Sequence, residues 1–113
     1  MGKINSRAKG ASGERELALK LKELFGWEAR RTQQFCGDAG DSDVVVNHLP
    51  SLFVEVKRVQ KLNIPAAMAK AVEQCKGQHP VMFHRQNNQP WLATIQMDQL
   101  MVIAKYLVEN QPR

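Results

Sequence analysis

The sequence predicts a single α/β domain built on one mixed sheet, with elements in the order α-β-β-β-α-β-β-α. Three observations predict it. Two windows, residues 12–25 and 97–110, carry apolar residues at helical spacing, and a third, 65–76, is framed by Pro65 and Gly77. Short β-branched and aromatic runs lie between these windows, separated by Gly, Pro and Asn turns. The length, 113 residues, suits one compact domain, and no internal repeat or second domain shows.

Residues 1–11 are polar, basic and contain glycine, and are expected to form a flexible arm, leaving 12–113 as the domain proper. From Ser12 a helix is expected, with Leu17, Ala18, Leu21, Leu24 and Phe25 on its inner face, Ser12 as N-cap and Gly26 as its stop. "WEARR" (27–31) reads as a short strand. "TQQFCGDAGDS" (32–42) has two glycines and no apolar period, which makes it a loop. "DVVV" (43–46) is a strand, "NHLPS" a turn, and "LFVEVKRV" the strand running back. A second helix over about 65–76 takes Pro65 in its first turn and Gly77 at its end. "PVMFHR" and "WLATI" are strands joined by the turn "QNNQP", and "MDQLMVIAKYLVEN" is the last helix, with Asp98 near its start.

An apolar content of 43% with 24% charged residues is ordinary for a globular protein. No apolar run approaches the roughly 18–20 residues of a membrane span, so no membrane partner is expected. The basic start lacks the apolar stretch of a secretory signal. Cys36 and Cys75 are far apart and outside any CxxC pair, which argues against zinc and for reduced thiols, with the cytoplasm as expected compartment. The net charge of +5 is unevenly spread: +4 over residues 1–31, −3 over 32–57 and +4 over 58–113. Basic flanks around an acidic middle suggest a polyanion partner around a cation site.

The stretch "LFVEVKR" (52–58) sharpens this. It has the apolar content of a core strand yet carries Glu55 and Lys57, and burying unpaired charge is costly. If the hairpin centres on Leu49, Val45 faces Phe53 and Asp43 faces Glu55. Two carboxylates so placed repel unless a divalent cation lies between them, and Mg²⁺ favours such oxygen ligands. Strand alternation puts Lys57 on the face of Glu55. On the first helix, Glu14 falls in the middle of the apolar stripe, whereas Glu16 and Glu23 fall about opposite, toward solvent. Glu14 is therefore a candidate third carboxylate at the first turn. A first-turn acid also suits the helix dipole on its own account.

Asp43, then Glu55-Val56-Lys57 as an E-x-K element on a hairpin, after a helix carrying Glu14, resembles the PD-(D/E)XK nuclease superfamily. More narrowly, "KGASGERELALKLKELFGWEARR", "SDVVV" and "LFVEVKR" resemble archaeal-type Holliday junction resolvases and related small phage endonucleases. The likeness is carried by the first half of the chain; the second half matches in element pattern. Ser42 stands where the family usually has a proline before the aspartate, which bears on loop shape. The resemblance implies a restriction-endonuclease-like fold and a Mg²⁺-dependent endodeoxyribonuclease, with Mn²⁺ a possible substitute. Asp43 and Glu55 would be metal ligands, the Val56 carbonyl an extra oxygen, and Glu14 would complete the site directly or through water. Lys57 would orient or activate the attacking water. It further implies four-way DNA junctions as substrate, other branched or nicked DNA as the alternative, a homodimer, and a host-cytoplasm setting if phage-encoded. A non-catalytic DNA-binding module of the same fold is the other reading. Gln74 reads either as an active-site contact, as in related nucleases, or as a surface glutamine.

For DNA, Lys3, Arg7 and Lys9 on the arm, Arg30 and Arg31 after the first strand and Arg58 beside the site are candidate phosphate contacts. Thr32, Gln33 and Gln34 open the loop before Asp43 and are candidate backbone contacts. His48, expected to be exposed in the hairpin turn, His79 and His84 lack metal-ligand spacing. Trp27 and Trp91 read as core or dimer-packing residues. The last helix carries a wide apolar face, from Leu100 to Val108, to cover the sheet or to serve a dimer.

Overall fold

The structure, a computed structural model, describes residues 6–32 and 42–112, with side chains from residue 11 on. Helix α1 spans Ser6–Phe25, followed by β1 (Ala29–Arg31), β2 (Val44–Val46) and β3 (Leu52–Arg58). Then come α2 (Ile64–Gln74), β4 (His79–Arg85), β5 (Leu92–Thr94), a 3₁₀ turn (Met97–Gln99) and α3 (Leu100–Glu109). The element order is the expected one. The sheet runs β1-β2-β3-β4-β5, antiparallel except for β3 and β4, which α2 joins as a parallel crossover. Among the described residues no helix is long and apolar enough to cross a membrane.

The hairpin register is the one deduced from its centre. Val44 pairs with Val54, which sets Val45 against Phe53; the Asp43 N–H donates to the Val54 carbonyl, and this brings the Asp43 side chain beside the Val54–Val56 stretch. Alternation then sorts the sheet into two faces. Val44, Val46, Leu52, Val54 and Val81 pack with Leu17 and Leu21 of α1, Trp27 and Leu49. Ile95, Tyr106 and Leu107 lie against the same cluster. On the other face Phe53 packs with Ala71 and Cys75 at the C-terminal end of α2. Glu55 and Lys57 share the face of Phe53.

Helix α1 starts six residues before the expected Ser12, so Ser12 lies within the helix and part of the presumed arm is helical. Ala8 and Ala11 favour helix, and Gly10 sits inside it. Gly13 is there for close packing: a Cβ at that position would lie 2.7 Å from Arg58 Cβ. Leu24 and Phe25, expected inside, are 57% and 52% exposed. Leu24 lies on the same stripe as Leu17 and Leu21, so its exposure comes from position along the axis. Leu24 opens onto a groove it lines with Arg85, Gln89, Pro90 and Trp91, and Phe25 packs on the Trp27 ring at 4.9 Å. Gly26 ends the helix with a left-handed φ of 72°.

Helix α2 is capped by Asn63, whose Oδ1 accepts the Ala66 N–H at 3.1 Å, with Pro65 in its first turn. The left-handed Lys76 and Gly77 end the segment. His48, expected to be exposed, is half-buried, its ring edge-on to Trp27 at 5.6 Å. Helix α3 covers the sheet only in part. Ile103 is its buried residue, while Leu100, Met101 and Val108 stay exposed.

Candidate metal and phosphate site

Asp43 lies just before β2. Its N–H donates to the Val54 carbonyl and its Oδ2 accepts the Val56 N–H, both at 2.9 Å. The carboxylate thus takes the ladder position where β2 has no further backbone acceptor to offer. In an extended strand the N–H and C=O of one residue point the same way. The Val56 carbonyl is therefore directed toward the Asp43 side. Thr32 braces this corner. Its N–H donates to the Asp43 carbonyl at 3.1 Å, and its hydroxyl closes on the carbonyls of Ser42 and Asp43.

The Asp43 and Glu55 carboxyl groups meet. Burial pushes Asp43 up to about 7, and the hydrogen bond and negative charge of Glu55 add to the rise. The Val56 N–H and the Lys57 ammonium oppose it. Asp43 resists ionising because its carboxyl is desolvated and lies against a second carboxyl. Two hard oxygen donors and a carbonyl at one corner, short of positive charge, fit a divalent cation of the Mg²⁺ type.

Glu14 does not complete this pair. Its Oε2 accepts from Arg31 Nε at 2.9 Å. Burial lifts its carboxyl above the usual range; the Arg31 hydrogen bond opposes the rise and the Asp43 charge adds to it. Glu14 thus stands near Asp43 but is held by another partner. Among the described residues no group of three His, Cys, Asp or Glu side chains is placed to hold a metal. The expectation of three converging acids is corrected to two, with the third alongside. The reason is the layering: α1 packs on one face, Glu55 and Lys57 point to the other, and Asp43 sits between them. Glu14 is also not a first-turn acid. With α1 starting at Ser6 it lies beyond the reach of the helix dipole.

The basic candidates divide. Arg30 is exposed on β1, opposite Val45. Arg31 and Arg58 are engaged internally. Arg58 Nε donates to Glu16 Oε2 at 3.2 Å and its Nη1 to Asn87 Oδ1 at 2.9 Å, while Arg85 pairs with the other oxygen of Glu16. Glu16, expected in solvent, is therefore a bridge between α1 and two strands. Partial burial raises its carboxyl, but the hydrogen bonds from Arg85 and Arg58 outweigh this and hold it below the usual range. Glu23 is solvent-facing as expected, near Lys20 at 3.6 Å. Gln74 is the last residue of α2 and is half-buried, next in sequence to Cys75, which packs with Phe53. Lys3, Gln33 and Gln34 and the side chains of Arg7 and Lys9 lie outside the described residues. Two features escaped the sequence. Arg15 is exposed and near enough to act on the Glu14 charge, and its adjacency to Glu14 was a usable signal. The Arg58–Glu16–Arg85 bridge had none, since its members lie up to 69 residues apart.

No family model matches the sequence, and no curated protein does. The fold has a solved counterpart in a Holliday junction resolvase, Hjc, from the archaeal hyperthermophile Archaeoglobus fulgidus. The two superpose with a TM-score of 0.54 at 20% sequence identity, covering 77% of this chain and 72% of that one. The chain therefore has the mixed five-stranded α/β fold of an archaeal Holliday junction resolvase.

Proposed function

We propose that this chain is a metal-dependent DNA endonuclease that hydrolyses phosphodiester bonds in four-way junctions, acting as a homodimer. The observation that carries the reading is the Asp43–Glu55 carboxyl pair, hydrogen-bonded to each other with Lys57 nearby. Structural carboxylates are seldom buried against each other without a cation. Asp43 and Glu55, with the Val56 carbonyl, would hold Mg²⁺ or Mn²⁺. When bound, such an ion supplies Lewis-acid stabilisation of a phosphodiester and acidifies water.

The residues supply the rest. The Val56 N–H fixes Asp43 Oδ2, so one carboxylate is oriented before any ligand arrives. Positive charge in the corner favours the ionised form of Asp43. The Lys57 ammonium offsets charge growing on the phosphoryl oxygens and orients the attacking water, in line with the leaving 3′ oxygen. The products are 5′-phosphate and 3′-hydroxyl ends. Arg30, exposed on the β1 edge, is the remaining described phosphate contact of the original set, with Arg15 added to it.

A dimer reading is favoured by a specific surface. On α3, Leu100, Met101, Ala104 and Val108 fall within about 100° of arc, and Met101 and Val108 are 77% and 74% exposed. This stripe borders an apolar groove of about 270 Å³ lined by Phe25, Trp27, Leu100, Ile103, Ala104 and Leu107. A protruding methionine beside a groove on one patch is self-complementary, as a two-fold interface requires. Light scattering on wild type and Met101→Glu tests it: a dimer that the substitution turns into monomer supports the reading, and a wild-type monomer refutes it.

The functional test is incubation of a synthetic four-way junction and a matched linear duplex with Mg²⁺, with and without EDTA. Junction-selective, EDTA-sensitive cutting is expected. Equal cutting of both substrates removes the junction-resolving part of the reading and leaves the nuclease part. Binding without cutting, in Mg²⁺ or Mn²⁺, makes it a DNA-binding module.

A further inference from the structure

Strand β1 carries two arginines in succession, and alternation sends them to opposite sides of the sheet. Arg30, opposite Val45, is exposed on the face of Glu55. Arg31, opposite Val44, turns to α1 and donates to Glu14. The Arg31 and Glu14 side chains are only 32% and 17% exposed. A guanidinium engaged with a largely buried carboxylate is poorly placed to read a phosphate. Its partner is the acid that stands near the Asp43–Glu55 corner without joining it.

We propose that Arg31 is a positioning residue that holds Glu14 on the α1 side of the sheet, so that a divalent cation at Asp43 and Glu55 recruits Glu14 only by drawing it away from Arg31. This rests on the metal-dependent reading of the site. The cation and the guanidinium compete for one carboxylate, and the guanidinium charge also repels the cation. Arg31 therefore weakens cation binding, through Glu14.

The test is a Mn²⁺ titration of the full chain without DNA, following the free-ion signal by electron paramagnetic resonance. Arg31→Met keeps much of the apolar stem and removes the charge and the donor. Wild type is expected to bind Mn²⁺, and Arg31→Met to bind it roughly fivefold to tenfold more tightly. In a Glu14→Gln background the same substitution is expected to change affinity less than twofold or so, because no carboxylate remains to release. If Arg31→Met does not fold, Arg31→Gln carries the same expectation.

Unchanged or weaker Mn²⁺ binding in the Arg31 variant overturns the proposal while leaving the metal site standing. A fall in junction affinity alongside it makes Arg31 a phosphate contact. Equal tightening with and without Glu14 overturns it too, since the effect is then general charge repulsion. Absence of Mn²⁺ binding in wild type and all variants sinks the metal reading itself and the proposal with it.

Discussion

Asp43→Asn probes the carboxyl pair directly. Asparagine keeps an oxygen for the Val56 N–H and offers Glu55 a donor, so it imitates the protonated aspartate without titrating. In the folded wild type Asp43 is raised from 3.8 to about 7. A raised carboxyl destabilises as pH increases. The unfolded chain releases its proton near 3.8 while the folded one keeps it, so stability falls between about pH 4 and 7 and levels off above. At 1.36 kcal/mol per pH unit the ceiling is about 4 kcal/mol, and solvent reaching the corner brings the expected loss to roughly 2 kcal/mol. Urea unfolding of wild type and Asp43→Asn at pH 5 and pH 8 measures it. About two thirds of that window lies above pH 5, so the variant is expected to gain on wild type by about 1 kcal/mol between the two pH values. A gap that stays constant within about 0.5 kcal/mol refutes the raised Asp43 carboxyl. Adding Mg²⁺ at pH 8 is expected to restore stability to wild type and to leave Asp43→Asn nearly unchanged.

Lys57→Met is expected to lower junction cleavage by roughly 10²–10³-fold while leaving junction affinity within a few fold, read from single-turnover rates and from binding in Ca²⁺. Gly13→Ala raises helix propensity yet sets a methyl 2.7 Å from Arg58 Cβ, so a net loss of about 1–3 kcal/mol is expected in thermal or urea unfolding. A more stable variant shows that the helix shifts freely there. Glu16→Gln leaves Arg58 and Arg85 without their carboxylate and is expected to cost about 1 kcal/mol at pH 7. Because the folded Glu16 carboxyl lies below its ordinary 4.5, this contribution is present above that value. It disappears as pH falls through the lower, folded value, so the gap between wild type and Glu16→Gln closes in acid.

Local pattern determined much of this molecule. Pro65 marked a helix start because its ring fixes φ and removes a donor, and Gly26 and Gly77 marked helix ends because glycine takes a left-handed φ freely. The hairpin register followed from a turn centre and a period of two, and it delivered Asp43 beside Glu55, with Lys57 one pleat on, before any packing was known. Helical periodicity put Leu17 and Leu21 inside for the same local reason. It misjudged Leu24 and Phe25 because a stripe specifies a direction around an axis and says nothing of where the covering sheet ends. It misjudged Glu14 and Glu16 because the partner of a charge is set by which strands approach the helix. Arg31 and Glu14 are 17 residues apart, and Arg85 and Glu16 are 69. The sequence by itself thus determined the elements, the strand register and a carboxylate pair with its lysine, since backbone geometry repeats over two to four residues. Only the tertiary structure decided which arginine each acid keeps, because that choice depends on the stacking of α1 against the far ends of β1, β3 and β4.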